Sequence, residues 1–159
     1  MIDSTSWTTV YPEIVLLVMA CVIALVDLLV TSPKRTVTYV LTLVSLGGVA
    51  LLNALYADAG HTLYGFGRLV VSDPMGHWLK CFASIAVMVT LVYARPYAAD
   101  RDMLRGGEIF SLSVFALLGM SVMISGQNFL VLYLGLELLT LSSYALVALR
   151  RDNTQATEA

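Results

Sequence analysis

The sequence predicts an all-α integral membrane protein with five transmembrane helices. Its 159 residues are 58% hydrophobic and only 13% charged, whereas charged residues make up about 25% of ordinary soluble domains. It also contains several uncharged apolar stretches long enough to cross a hydrocarbon core of about 30 Å at about 1.5 Å of rise per residue. We predict spans over approximately residues 11–30, 36–57, 74–93, 109–125 and 128–149.

The first span carries an acid near each end. The residues before it contain Asp3 but no Lys or Arg, so they lack the basic region of a signal peptide and we expect the span to be retained. We expect Glu13 to lie at the membrane interface. For Asp27 we favour an interfacial acid within reach of water and of Lys34 or Arg35, and the alternative is a role in a proton path.

The second span is uncharged, and small residues thin one of its sides. Ser45, Gly47 and Gly48 are of the kind that lets neighbouring helices approach closely. The segment 58–72 that follows is too polar to cross the membrane. We expect it to be an outer loop, in which residues 62–71 could form a short hairpin.

The third span is the most amphipathic. Asp73, His77, Lys80 and Ser84 fall on one helical face. Two interpretations stay open. One is a local proton relay; the other is that Lys80 snorkels to the interface and pairs with Asp73 or His77 for structural reasons.

A charged loop, residues 94–107, leads to the last two spans. Residues 109–136 carry no formal charge and are too many for one span, so we divide them at Gly126-Gln127. The fourth helix then offers four candidate positions for close packing: Ser111, Gly119, Ser121 and Ser125.

The distribution of Lys and Arg predicts the orientation. Basic residues mark cytoplasmic links, and five spans place seven of the nine on one side. The N-terminus is then outside, and the C-terminus and loop 94–107 are cytoplasmic. Arg68 lies on the opposite side, and Lys80 lies within the membrane. The seven are Lys34, Arg35, Arg95, Arg101, Arg105, Arg150 and Arg151.

The fifth span carries one carboxylate, Glu137, near its middle. It lies about 14 Å from the start of the span, where a charge costs at least about 2.5 kcal/mol. Tyr133, Thr140 and Tyr144 share its face and form a polar stripe. We favour a proton-path residue; the alternative is a buried acid that only hydrogen-bonds to these hydroxyls.

Other functional classes are not supported. Cys21 and Cys81 form no CxxC pair and are expected to be small core residues. His77 has no second His or Cys at ligand spacing, so no metal site is predicted. A net charge of −2, with no basic tract and interleaved aromatics, gives no indication of nucleic-acid binding.

The run from Tyr133 to Leu146, YLGLELLTLSSYAL, resembles the fifth transmembrane helix of the subunit N family of bacterial NADH-quinone oxidoreductase (respiratory complex I). These are antiporter-like proteins, related to Mrp-type cation/proton antiporter subunits. Tyr11-Pro12-Glu13 and Ser72-Asp73-Pro74 support the resemblance more weakly. In that family the glutamate is a proton-path residue paired with a lysine on a later helix.

The resemblance also implies a longer bundle. Family members are expected to have about fourteen spans, built partly from inverted repeats, so we expect this chain to be the first part of such a bundle, an N-terminal fragment or a truncated product. Residues 153–159 look like the start of a further helix. The lysine expected to face Glu137 is absent. Lys80 is the only cation within the predicted spans, and it lies near the outer end and not at the level of Glu137.

The implied function is proton translocation by a membrane-arm subunit, coupled to NADH oxidation and quinone reduction, in the bacterial inner membrane. Its partners would be the lipid bilayer, other membrane subunits and protons. NADH, FMN, iron–sulfur clusters and quinone would bind to other subunits, since this chain has no catalytic residue, Cys cluster or nucleotide fingerprint. The alternatives are a cation/proton antiporter subunit and a non-transporting five-span scaffold. The candidate proton-path residues are Glu137 and, more weakly, Lys80, Asp27 and His77.

Overall fold

A computed structural model describes residues 4–30, 35–100 and 107–149. Five of its helices are long and apolar enough to span a membrane, which confirms the predicted fold class. A sixth helix, α1, is short and was not predicted. In chain order the elements are α1 (Ser4–Thr9), α2 (Tyr11–Leu29), α3 (Thr36–Asp58), β1 (Leu63–Gly65), β2 (Val70–Ser72), α4 (Pro74–Asp100), α5 (Glu108–Ser125) and α6 (Phe129–Val147).

Helix α4 is longer than the sequence predicts. It continues through Pro96 to Asp100, into the segment expected to be a charged loop. Arg95 holds this extension against α3, because it donates a hydrogen bond of 3.0 Å to the Thr36 hydroxyl and its guanidinium lies 4.2 Å from the centre of the Tyr39 ring. Ala98 is buried on the same extension. Tertiary contacts therefore outweigh the helix-breaking tendency of proline here.

Helix α5 is the centre of the bundle. It packs against α2, α3, α4 and α6, and Phe110, Val114 and Leu117 on it are almost completely buried. The core around them is made of aliphatic side chains from the neighbouring helices: Leu16, Ala20 and Ile23 on α2, Leu46 and Val49 on α3, and Leu91 on α4.

Two glycines set the close packing of α5 on α6. A Cβ at Gly119 would lie 2.7 Å from the Leu139 amide nitrogen, and one at Gly135 would lie 2.9 Å from the Gly119 carbonyl oxygen. Only glycine allows backbones to approach this closely. Gly119 was a predicted close-packing position. By contrast, Gly47 and Gly48 have no atom of another described element within 4 Å of an added Cβ.

The predicted hairpin is present. Strands β1 and β2 pair antiparallel, with Leu63 opposite Ser72. The hairpin contacts α1, where the Phe66 amide donates to the Ser6 hydroxyl, and it meets the turn between α5 and α6, where the Gln127 amide donates to the Leu69 carbonyl at 3.0 Å. We call this side of the bundle the hairpin end and the opposite side, where α2 ends and α3 begins, the Arg35 end.

Candidate functional site

Glu137 lies in the middle of α6 and is partly exposed. Tyr133, one turn earlier on the same face, has its hydroxyl near the Glu137 carboxylate. Among the residues that the structure describes, no Lys, Arg or His lies within 4 Å of that carboxylate. The acid therefore has a hydroxyl neighbour and no cation within this part of the chain.

The polar stripe around Glu137 lies on an open side of the bundle. Tyr133 and Tyr144 are 57% and 66% exposed, whereas the buried positions of α6 are Gly135 and Ser142. The Thr140 hydroxyl donates to the Leu136 carbonyl at 2.6 Å, so its one proton is not free for the Glu137 carboxylate. This side of α6 is accessible to a further helix or to lipid.

A second acid, Glu13, is buried in an ion pair. The Lys80 ammonium donates hydrogen bonds of 2.6 Å to Glu13 Oε1 and 2.6 Å to the Ser125 hydroxyl, and that hydroxyl donates to Glu13 Oε1 at 2.7 Å. The three side chains come from α2, α4 and α5. Glu13 is 8% exposed and Lys80 only 2%.

This triad corrects one expectation, because Lys80 pairs with Glu13 and not with Asp73 or His77. Glu13 itself lies in the first turn of α2 and is buried among the helices. Helical spacing correctly puts His77, Lys80 and Ser84 on one face, and all are buried. Spacing cannot say which helices that face meets, and here it meets α2, α3 and α5.

His77 is held by two other residues. Its Nε2 lies 2.7 Å from the Ser72 hydroxyl and its Nδ1 lies 2.9 Å from Asn53 Oδ1. The Asn53 side-chain amide donates to the Val49 carbonyl at 2.9 Å. Asn53, within the second span, is almost completely buried. A lone amide in an apolar span is a usable signal, because buried polar groups need partners.

Asp27 lies in the last turn of α2, at the Arg35 end. Its carboxylate pairs with Arg35 at 3.2 Å and accepts hydrogen bonds from the Thr38 hydroxyl at 3.0 Å and the Gly107 amide at 2.8 Å. The predicted pairing with Arg35 is present; Lys34 is outside the described residues. A Cβ at Gly107 would collide with the Asp27 carboxylate, so glycine is needed there.

Metal binding has no support in this part of the structure. Within residues 4–30, 35–100 and 107–149, no group of three or more His, Cys, Asp or Glu side chains could hold an ion. Cys81 is buried as expected, but Cys21 is exposed. The prediction of a core position for Cys21 is wrong, because its side of α2 faces away from the other described helices.

Comparison with known proteins finds relatives of one kind. No family model matches the chain. Curated relatives named NADH-quinone oxidoreductase subunit N are 74% identical over 159 residues in Polaromonas naphthalenivorans, 51% over 153 in Herminiimonas arsenicoxydans and 47% over 148 in Methylovorus glucosotrophus. The chain is a relative of subunit N. The resemblance read from the residues around Glu137 is confirmed.

The similarity covers nearly all of this chain but only part of each relative. It takes in 100%, 94% and 93% of this chain and 32%, 31% and 30% of the three relatives of subunit N. The chain thus spans about a third of their length. Together with its five apolar helices, the relationship to subunit N makes it a multi-pass membrane protein.

Proposed function

We propose that the chain contributes to proton translocation in the membrane arm of an NADH-quinone oxidoreductase, with Glu137 on the proton path. The observation that carries the proposal is the position of this acid in a chain that is 74% identical to a subunit N. Glu137 lies at mid-helix on an open face, beside the Tyr133 hydroxyl.

The chemistry follows from the cost of a charge at that depth. An isolated carboxylate near the bilayer centre costs at least about 2.5 kcal/mol, so Glu137 must hold a proton or face a cation. A cation brought to the open face of α6 favours the ionised acid, which releases its proton; when the cation withdraws, the neutral acid is favoured and a proton is taken up. Tyr133 can follow both states, since its hydroxyl can donate or accept.

In this proposal redox chemistry takes place elsewhere. NADH, FMN, iron–sulfur clusters and quinone bind to other subunits, and this chain responds to their reaction through contacts with neighbouring membrane subunits. Lys80, His77 and Asp27 are weaker candidates for the path. All three already have hydrogen-bond partners within the described part of the chain.

We also propose that the hairpin end faces outward in a bacterial inner membrane and the Arg35 end faces the cytoplasm. Arg35 and Arg95 lie at one end and Arg68 at the other, which accords with the positive-inside rule. The other basic residues of the count are outside the described residues. A reporter inserted after Gly60 should be active only outside, and one fused after Arg151 only in the cytoplasm; activity of both on one side would contradict this orientation.

The test of Glu137 uses the assembled complex that carries this chain, in inverted membrane vesicles. Glu137→Gln keeps the shape of the side chain but cannot ionise. We expect NADH-driven acidification of the vesicles to be lost or strongly reduced, while the complex still assembles. Asp58→Asn is the matched control, because it neutralises an exposed acid at the end of α3. Acidification unchanged by Glu137→Gln would reject the proton-path assignment and favour a scaffold role.

A further inference from the structure

The buried ion pair at the hairpin end leaves one oxygen without a partner. Glu13 Oε1 receives hydrogen bonds from Lys80 and Ser125. The second oxygen, Oε2, is buried and has no hydrogen-bond partner among the described residues. A buried carboxylate oxygen that accepts no hydrogen bond is costly, and Oε2 is the oxygen of this pair that can bind a proton without breaking an existing hydrogen bond.

Other ionisable groups are close enough to respond. His77, on the same face of α4 as Lys80, is within electrostatic range of Lys80, Glu13 and Asp73. The Ser125 hydroxyl faces Glu13 from α5. The Asp73 carboxylate, at the residue before α4, is within electrostatic range of His77. This is the hairpin end of the bundle, at which the structure places Ser72 on β2 against His77.

We propose that the Glu13–Lys80 pair is a proton-exchange site, with Glu13 Oε2 as the atom that takes up the proton. This inference deepens the proposed function and rests on it for its place in proton translocation. It puts a second exchangeable proton near the hairpin end, on helices α2, α4 and α5, apart from Glu137 on α6.

The step involves one proton and no electrons. A proton delivered by water forms an O–H bond at Oε2 and leaves Glu13 neutral. Lys80 keeps its hydrogen bonds to Oε1 and to the Ser125 hydroxyl, so the cluster changes from a net charge of zero to one positive charge. Release of the proton from Oε2 to water restores the ion pair. If Glu13 never changed its protonation state, the pair would instead be a permanent ion pair that only holds the three helices together.

Infrared difference spectroscopy of the purified complex in lipid nanodiscs distinguishes these two roles. The probe is the C=O stretching band of a protonated carboxyl group, followed across the pH range in which the complex stays folded. We expect a pH-dependent band that is lost in Glu13→Gln and retained in Glu137→Gln, the matched control. A band unaffected by Glu13→Gln would show a permanent ion pair and overturn the proposal.

Two further variants keep the test decisive if Glu13→Gln assembles poorly. Ser125→Ala removes a hydrogen bond from Oε1 without removing a charge, so the Glu13 band should shift in frequency; an unshifted band would contradict the assignment. Glu13→Gln combined with Lys80→Met removes both charges and should fold, since replacing a whole buried pair is often neutral.

The double variant also separates this site from Glu137. We expect it to oxidise NADH with loss of vesicle acidification. Acidification equal to that of the wild type would remove the site from the proton path. If instead Glu137→Gln left acidification intact while the Glu13 band was present and the double variant lost acidification, the Glu137 assignment would fail and this site would stand.

Discussion

Glu13 and Glu137 are both acids within apolar helices, yet the bundle treats them differently. Glu13 lies near the start of α2 and is paired with Lys80, 67 positions away along the chain. Glu137 lies at the middle of α6 with the Tyr133 hydroxyl beside it and no cation within 4 Å among the described residues. One acid is satisfied inside the bundle, and the other lies on its open side.

The packing of the two regions explains the difference. Glu13 faces α5, the central helix. In the most apolar stretch of α5, 50% of the residues are buried, whereas in that of α6 only 11% are buried. An acid that faces the central helix must find its partner within this chain. An acid on the open side of α6 can be paired with a cation from a neighbouring helix or subunit. The proposed role of Glu137 requires this property.

The largest effect on stability should come from breaking the buried pair. Lys80→Met leaves Glu13 buried without its cation, which costs about 3–5 kcal/mol in comparable pairs. The free energy of unfolding in mixed micelles measures it. Adding Glu13→Gln should recover most of the loss. If Lys80→Met alone were as stable as the wild type, Glu13 would already be neutral beside Lys80.

Asp27 offers a second satisfied acid for comparison. Asp27→Asn keeps the size of the side chain but replaces one of the two carboxylate oxygens with an NH2 group, so either the Thr38 hydroxyl or the Gly107 amide loses its acceptor. Leaving such groups unpaired costs about 1–3 kcal/mol. The same unfolding measurement tests this, and the exposed Asp58→Asn should change little. Equal effects of the two changes would deny Asp27 its structural role.

The packing of α6 itself can be loosened at Gly119. Gly119→Ala places a methyl group 2.7 Å from the Leu139 nitrogen, and we expect a net loss of about 1–2 kcal/mol after the gain in helix propensity. Gly47→Ala is the matched control, since nothing lies within 4 Å of its Cβ, and it should be neutral or stabilising by up to about 1 kcal/mol. If Gly119→Ala and Gly47→Ala were both destabilising, the loss would come from replacing a helical glycine and not from the contact between α5 and α6.

The smallest effect on stability is expected at Glu137. Glu137→Gln removes no ion pair within the described part of the chain, so the free energy of unfolding should change by less than about 0.5 kcal/mol, as for other changes away from buried networks. A large loss would show that Glu137 is ionised and held by a cation. The contrast with Lys80→Met would then disappear.

The sequence by itself determined the fold class, the hairpin and the position of Glu137 in the middle of the last helix. Each is a local property: an uncharged run has a length, a turn has a composition, and a residue has a position within its run. The family resemblance also came from one contiguous stretch, residues 133–146. No partner from elsewhere in the chain was needed for any of these predictions.

Only the tertiary structure decided which groups meet. Lys80 was predicted on the correct helical face, but its pairing with Glu13 and Ser125 joins residues up to 112 positions apart. The burial of Asn53 against His77 and the central place of α5 were likewise not predicted. Helical periodicity fixes where a side chain lies around its own axis. The rotation and order of the helices, which bring two such faces together, depend on the packing of all of them at once.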